Sequence, residues 1–245
     1  MLSVRTGDEQ ERRSMPTCFS PAAMRFLKGL KTHNDRAWFN ERKAVYEADV
    51  QAPWLLLIDE INEVFQDFAP EYVKPARKAA MRIYRDIRFS PNKQPYKTHV
   101  GAWWSTTTAE RTSGGGFYAH VSPTEVVVAA GVYMPQPDQL LAVRRHLQTH
   151  HADLRALLAD KMLRKLLPEF DSNSLTRMPK GFTADDPAAE LLLCRQWALS
   201  VKLSGDLATS PTLLREITSR FRAAAPVVEL LNAPLVKKPV RKSMF

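Results

Sequence analysis

Apolar positions along this chain change period twice. From Ser20 they recur at helical spacing. Ser20-Pro21 sets a capping hydroxyl ahead of a proline at the first helical position, so a helix is expected from there through about Leu30. Asn34 is placed to cap a second helix, DRAWFNERKAVYEADV. In it Trp38 and Val45, and Phe39 and Tyr46, lie seven apart and share faces. Pro53 opens a third, whose Leu57, Ile61, Val64, Phe65 and Phe68 form a core-facing stripe.

The period then drops to two. In Arg82–Ser90 the apolar Ile83, Ile87 and Phe89 fall at odd positions, with Arg85 the exception. Arg82, Tyr84, Asp86, Arg88 and Ser90 fall at even ones. That alternation predicts a strand with two arginines, a phenol and a carboxylate on one face. A turn-rich SPNKQPYK and a strand THVGAWWS follow, with Trp103 and Trp104 on opposite sides. By composition STTTAERTSGGG is a hairpin loop. GFYAHVS alternates Phe117, Ala119 and Val121 against Tyr118, His120 and Ser122. EVVVAAGVY is apolar on both faces and reads as a central strand. An antiparallel sheet of three or four strands joined by hairpins is expected.

Helical spacing returns from Gln136 to about His150 and from Asp153 to about Leu167. Further helices begin at Pro187, with Leu191 and Leu192, and at Pro211, with Leu214, Ile217 and Phe221. ALSVKLS is one more short strand. Helices, strands, then helices give the α+β class: a small, mainly antiparallel sheet packed with N-terminal and C-terminal helices. Residues 1–18 read as disordered, 19–232 as one domain, and 233–245 as a flexible basic tail.

Charge sharpens this picture. Arg77–His99 holds Arg77, Lys78, Arg82, Arg85, Arg88, Lys93 and Lys97 against one acid, Asp86, in a chain of net charge +9. The tail adds Lys237, Lys238, Arg241 and Lys242; short runs of this kind more often solubilise than recognise. No apolar run approaches 18 residues, so no membrane span is expected, and the polar N-terminus lacks the core of a signal peptide. Cys18 and Cys194 make no disulfide framework in 245 residues; both are expected buried, in a cytoplasmic protein.

Three blocks resemble the DUF2461 family, conserved hypothetical proteins of bacteria and fungi. They are Phe19–Glu47; Arg82–His99 with the following GGGFYAHVSP; and Arg177–Pro187. The resemblance spans about residues 19–232. It implies a shared fold and site and no established activity. Family members often carry Asn where this chain has His33 and His where it has Asp186, so no role is carried to either position.

Arginine forks suit carboxylate or phosphate, and lysine adds a point charge. Arg82, Tyr84, Arg88, Lys93, Tyr96 and Lys97 are therefore the candidate ligand-binding residues. Asp86, His99 and His120 are the candidates for acid–base work, Asp86 also as the partner that orients an arginine. The bland readings are an internal ion-pair network for Asp86 and satisfied sheet histidines for the other two. In the third family block, Lys180 and Gly181 are placed on a loop that could close over an anion, and Asp185 is expected to cap the helix at Pro187. No Cys/His spacing fits zinc, no cofactor is indicated, and Gly114–Gly116 lacks the Lys-Ser/Thr of a phosphate loop. The expected partner is a small anion, with or without catalysis. A nucleic-acid module ranks second and a structural protein third.

Overall fold

The computed structural model describes residues 18–106 and 114–235. Most of the expected N-terminal segment, of the hairpin loop and of the basic tail lies outside the described residues.

Ser20 caps helix α1, Pro21–Thr32, by accepting the Ala23 N–H at 3.2 Å, and Ala23, Phe26, Leu27 and Leu30 form its buried face. Helix α2 is short, Arg36–Glu41, and Asp35, not Asn34, caps it through the Trp38 N–H. After a break at Arg42, one α-turn at Lys43–Val45 runs into a π-helical turn, Tyr46–Gln51, and then helix α3, Ala52–Phe65. Pro53 explains the disturbance. It has no N–H to return to the Asp49 carbonyl, and the Ala52 N–H reaches back five residues to Glu47.

Helix α4, Ala76–Ala79, precedes the sheet. Strands β1 (Val100–Ser105), β2 (Gly116–Val121) and β3 (Glu125–Val132) form the expected meander. Helix α5, Pro137–Ala159, then runs through with a kink at His150, where two separate helices were expected. Helix α6, Lys161–Leu166, strand β4, Glu169–Asp171, helix α7, Ala189–Leu192, and strand β5, Trp197–Ser204, follow. Helix α8, Leu213–Asn232, ends the fold. The sheet has five strands, all antiparallel, in the order β1-β2-β3-β5-β4 with β3 central; β5 is the expected ALSVKLS strand, and β4 is not among the expected strands.

One face of the sheet is core. Trp104, Phe117, Ala119, Val126, Val128 and Leu199 lie on it, and Ile217, Phe221, Ala224 and Val228 of α8 are buried with them. Its aromatic centre is Phe65, Trp104, Phe117 and Phe221, with centroids 5.1–5.7 Å apart. The other face carries Trp103, Tyr118, His120, Val127, Ala129 and Ser200, all half-buried. The two neighbouring tryptophans thus divide as the alternation requires.

Arg82–Ser90 is not a regular strand. It forms a single bridge, Tyr84 to Tyr96, flanked by hydrogen bonds from Arg85 N–H to Pro95 and from Lys97 N–H to Ile83. Pro91 and Pro95 interrupt the return segment, and proline cannot donate to a ladder. The alternation still sorts the side chains: Ile83 is buried and Ile87 half-buried, while Arg82, Tyr84, Asp86 and Arg88 are exposed. Phe89 breaks the pattern, since it is 92% exposed.

Candidate functional site

The best-formed concavity beside the basic segment is a cleft of ≈ 300 Å³ between the π-helical turn and residues 77–84. Lys43, Tyr46, Glu47 and Gln51 line one side, and Arg77, Met81, Arg82 and Tyr84 the other. Buried Phe39, Trp54 and Val100 close its inner end. Helical π-turns are frequent at functional sites because the extra residue re-aims side chains. Here the turn directs Tyr46 and Gln51 to one place, where Gln51 hydrogen-bonds the Tyr46 phenol. Burial dominates over that bond and pushes Tyr46 up to about 12.

Three cations, Lys43, Arg77 and Arg82, face the cleft against one carboxylate, Glu47, which Lys43 approaches at 3.7 Å. Arg77 and Arg82 form no ion pair among the described residues. Lys97 stands behind Arg82. Burial lowers its ammonium, and the Arg82 charge lowers it further.

The candidate residues divide among three places. Arg82 and Tyr84 line the cleft. Tyr96 is buried beneath it, stacked on Phe39 at 4.2 Å, and its ring lies 5.3 Å from that of Tyr84. Arg88, Asp86 and Lys93 sit on the exposed loop beyond. There Arg88 pairs with Asp86, and Lys93 donates to the Ile87 carbonyl at 3.1 Å. His99 and His120 stack at 4.6 Å on the half-open face of the sheet.

The PKGFTADDP segment contributes nothing to the cleft. Lys180 and Gly181 are exposed, and neither is among the lining residues. The capping role expected of Asp185 is not filled: the helix starts at Ala189 behind Ala188 with no side-chain cap, and the neighbouring Asp186 carboxylate accepts the Ala188 N–H at 2.8 Å. Cys194 is buried as expected, but Cys18 is only half-buried, and both are free. Among the described residues, no cluster of His, Cys, Asp and Glu is placed to hold a metal. No described helix is long and apolar enough to cross a membrane.

Sequence reasoning missed Lys43, Tyr46, Gln51 and the role of Arg77 as a wall residue. The one available signal was Pro53, which stands three residues into what the period treats as the junction of two helices.

This fold and these blocks belong together in one family. The chain matches the conserved hypothetical protein family DUF2461 over residues 22–230, and it belongs to that family. It matches no curated protein and no solved structure.

Proposed function

We propose that the protein binds a small phosphate- or carboxylate-bearing molecule in the cleft between the π-helical turn and Arg77–Tyr84. The observation that carries this reading is the pair of arginines, Arg77 and Arg82, facing a cleft without a carboxylate partner among the described residues. A guanidinium fork left open in this way fits an oxyanion. Tyr84 and Gln51 supply neutral hydrogen-bonding groups at the rim, and the Tyr46 phenol remains a donor at neutral pH. An anion beside Arg82 would also relieve the charge pressing on Lys97.

Thermal melting with inorganic phosphate, glucose 6-phosphate and citrate tests this. A ligand at 100 times its dissociation constant adds about 2.7 kcal/mol. At roughly 2–4 °C per kcal/mol for a domain of this size, the shift is several degrees. Wild type should respond to at least one of the three, and Arg82→Ala should not. An equal response in the variant removes Arg82 from the site.

A second reading rests on a different observation. Phe89 projects into solvent beside Arg88, whose guanidinium lies 5.7 Å from the ring centroid, on the loop that also carries Arg85 and Lys93. An aromatic tip among cations is the arrangement that stacks single-stranded bases. It ranks second because Phe89 is a single stacking platform.

A further inference from the structure

On the half-open face of the sheet, three side chains from two strands form a chain of contacts. Glu125 Oε1 lies 3.4 Å from His120 Nε2, and His120 Nδ1 lies 3.0 Å from the Tyr118 hydroxyl. The order of roles follows from the chemistry of the groups. A carboxylate only accepts, so Nε2 carries the imidazole proton. Nδ1 is then a lone pair, and the Tyr118 O–H donates to it. His99 stacks on the His120 ring with 29° between planes and fixes its tilt.

The strand register leaves the phenol its room. His120 lies opposite Gly101 on β1, and Tyr118 lies opposite Ala129 on β3. A Cβ on Gly101 would stand 3.3 Å from the Tyr118 oxygen and 3.5 Å from the Met81 sulfur. Met81 is also a wall of the cleft described above, so one residue of that wall and the phenol both border Gly101. The Gly101 carbonyl is anchored by the Met81 N–H at 2.8 Å and the Trp54 indole N–H at 3.3 Å, which fixes this junction.

We infer that Tyr118 is an oxygen nucleophile, with His120 as its base and Glu125 and His99 as positioning residues. The arrangement parallels the nucleophile–base–carboxylate logic of hydrolytic triads with a phenol in place of the hydroxyl. The substrate class is an ester that bears a separate anionic group, held by Arg82; this part rests on the cleft reading. Tyr118 oxygen forms a bond to the ester's acyl carbon or phosphorus. The Tyr118 proton passes to His120 Nδ1 and then to the departing alkoxide as its bond breaks. Water, deprotonated by His120, then bonds to the acyl carbon or phosphorus; the bond from that atom to the Tyr118 oxygen breaks, the free acid leaves, and His120 returns the proton to the phenolate.

Two further facts agree with this assignment. Burial, with Glu125 and Tyr133 nearby, pushes the Tyr118 phenol up to about 12, so it stays protonated at rest and needs a base. Burial, aided by Lys202, lowers His120 against the opposing pull of Glu125, so the imidazole is neutral and able to accept a proton.

Phenylmethanesulfonyl fluoride, which is uncharged, tests the triad apart from the cleft. Attack forms an S–O bond to Tyr118, expels fluoride and leaves the phenolic proton on His120. Peptide mass spectrometry of the intact protein's digest should find Tyr118 modified ahead of the more exposed Tyr133. His120→Gln should slow this about a hundredfold, the scale of general-base assistance. Glu125→Gln, at the rim, should slow it as well and carries the test if His120→Gln fails to fold. The probe carries no anionic group, so a failed cleft leaves this result standing. Labelling of Tyr118 no faster than that of Tyr133, or unaffected by loss of the base or of Glu125, overturns the inference.

Discussion

Arg88 grips the carboxylate of Asp86 with two parallel hydrogen bonds, Nε–H to Oδ1 at 3.0 Å and Nη2–H to Oδ2 at 2.7 Å. The Arg88 backbone N–H adds a third, at 3.3 Å. These bonds, led by the side-chain fork, hold Asp86 down to about 2, so it is a poor base at neutral pH. The arginine's fork is occupied, whereas that of Arg82, six residues earlier, is open to the cleft. Read as a strand, the segment puts both on one face; in the fold Arg88 is paired with Asp86, and Arg82 has no ion pair among the described residues. Arg88→Ala should therefore keep the anion-induced rise in melting temperature that Arg82→Ala loses. Melting curves of the two variants with and without glucose 6-phosphate decide it, and loss of the response in both would return Arg88 to the site.

Asn34 is the clamp that holds the cleft's far support in place. Its Nδ2 donates to the Leu30 carbonyl at 2.9 Å and to the Tyr96 carbonyl at 3.1 Å, and its Oδ1 accepts the Tyr96 N–H at 2.9 Å. Tyr96 is 2% exposed, so Asn34→Ala leaves two sheltered backbone groups without partners. Such losses cost about 2–4 kcal/mol in total. Urea unfolding should give a lower midpoint with an unchanged slope. A loss under about 0.5 kcal/mol would mean that water replaces the clamp.

Asn34 also shows what was legible in the sequence and what was not. A polar residue before an apolar-periodic run reads as a cap, because caps are local, but the cap is Asp35. The partner that takes Asn34 lies 62 residues away. The same holds for Asn232, which receives the Gly115 N–H at 2.6 Å and donates to the Gly115 carbonyl and the Tyr72 hydroxyl. Composition explains Gly114–Gly116 by hairpin flexibility, yet Gly115 is held from the last helix. Local periods did carry the helix α1, the β1–β2–β3 meander, the central place of β3 and the division of Trp103 from Trp104. They could not carry β4, three exposed residues whose pairing with β5 is long-range. In the site, composition located the cations of one wall. The other wall hangs on a single extra residue in a helical turn, which no hydrophobic period reveals.

The stacked histidines make folding sensitive to acid. Burial, then His120 and Lys97, lower His99 to about 4. In the unfolded chain the same ring titrates near 6.5. Between those values the unfolded chain binds a proton that the folded protein refuses. Stability thus rises with pH across this window and is lost as pH falls through it. For His99 alone the full gap is on the order of 3 kcal/mol. His99→Gln removes this titration. The difference in unfolding free energy between pH 7.5 and pH 4.5 should then be smaller than in wild type, by roughly 2 kcal/mol. Identical pH dependence in the two proteins would mean that His99 charges freely in the fold.

Phe89 separates the two readings of the basic segment. It is 92% exposed, and its position on a loop with Arg85, Arg88 and Lys93 keeps it clear of the cleft-lining set. If the loop binds single strands, a short oligo-dT should quench tryptophan fluorescence or raise anisotropy at 50 mM salt. Affinity should then fall with salt at a slope of about 0.7 per phosphate contact. Phe89→Ala should weaken that binding by about 1–3 kcal/mol, the worth of one stacked base. The anion response of the cleft should be untouched by the same change, because Phe89 does not line it. Arg82→Ala should do the reverse. A Phe89→Ala protein that binds oligo-dT like wild type, or a wild type that binds none at 50 mM salt, leaves the loop without a nucleic-acid role.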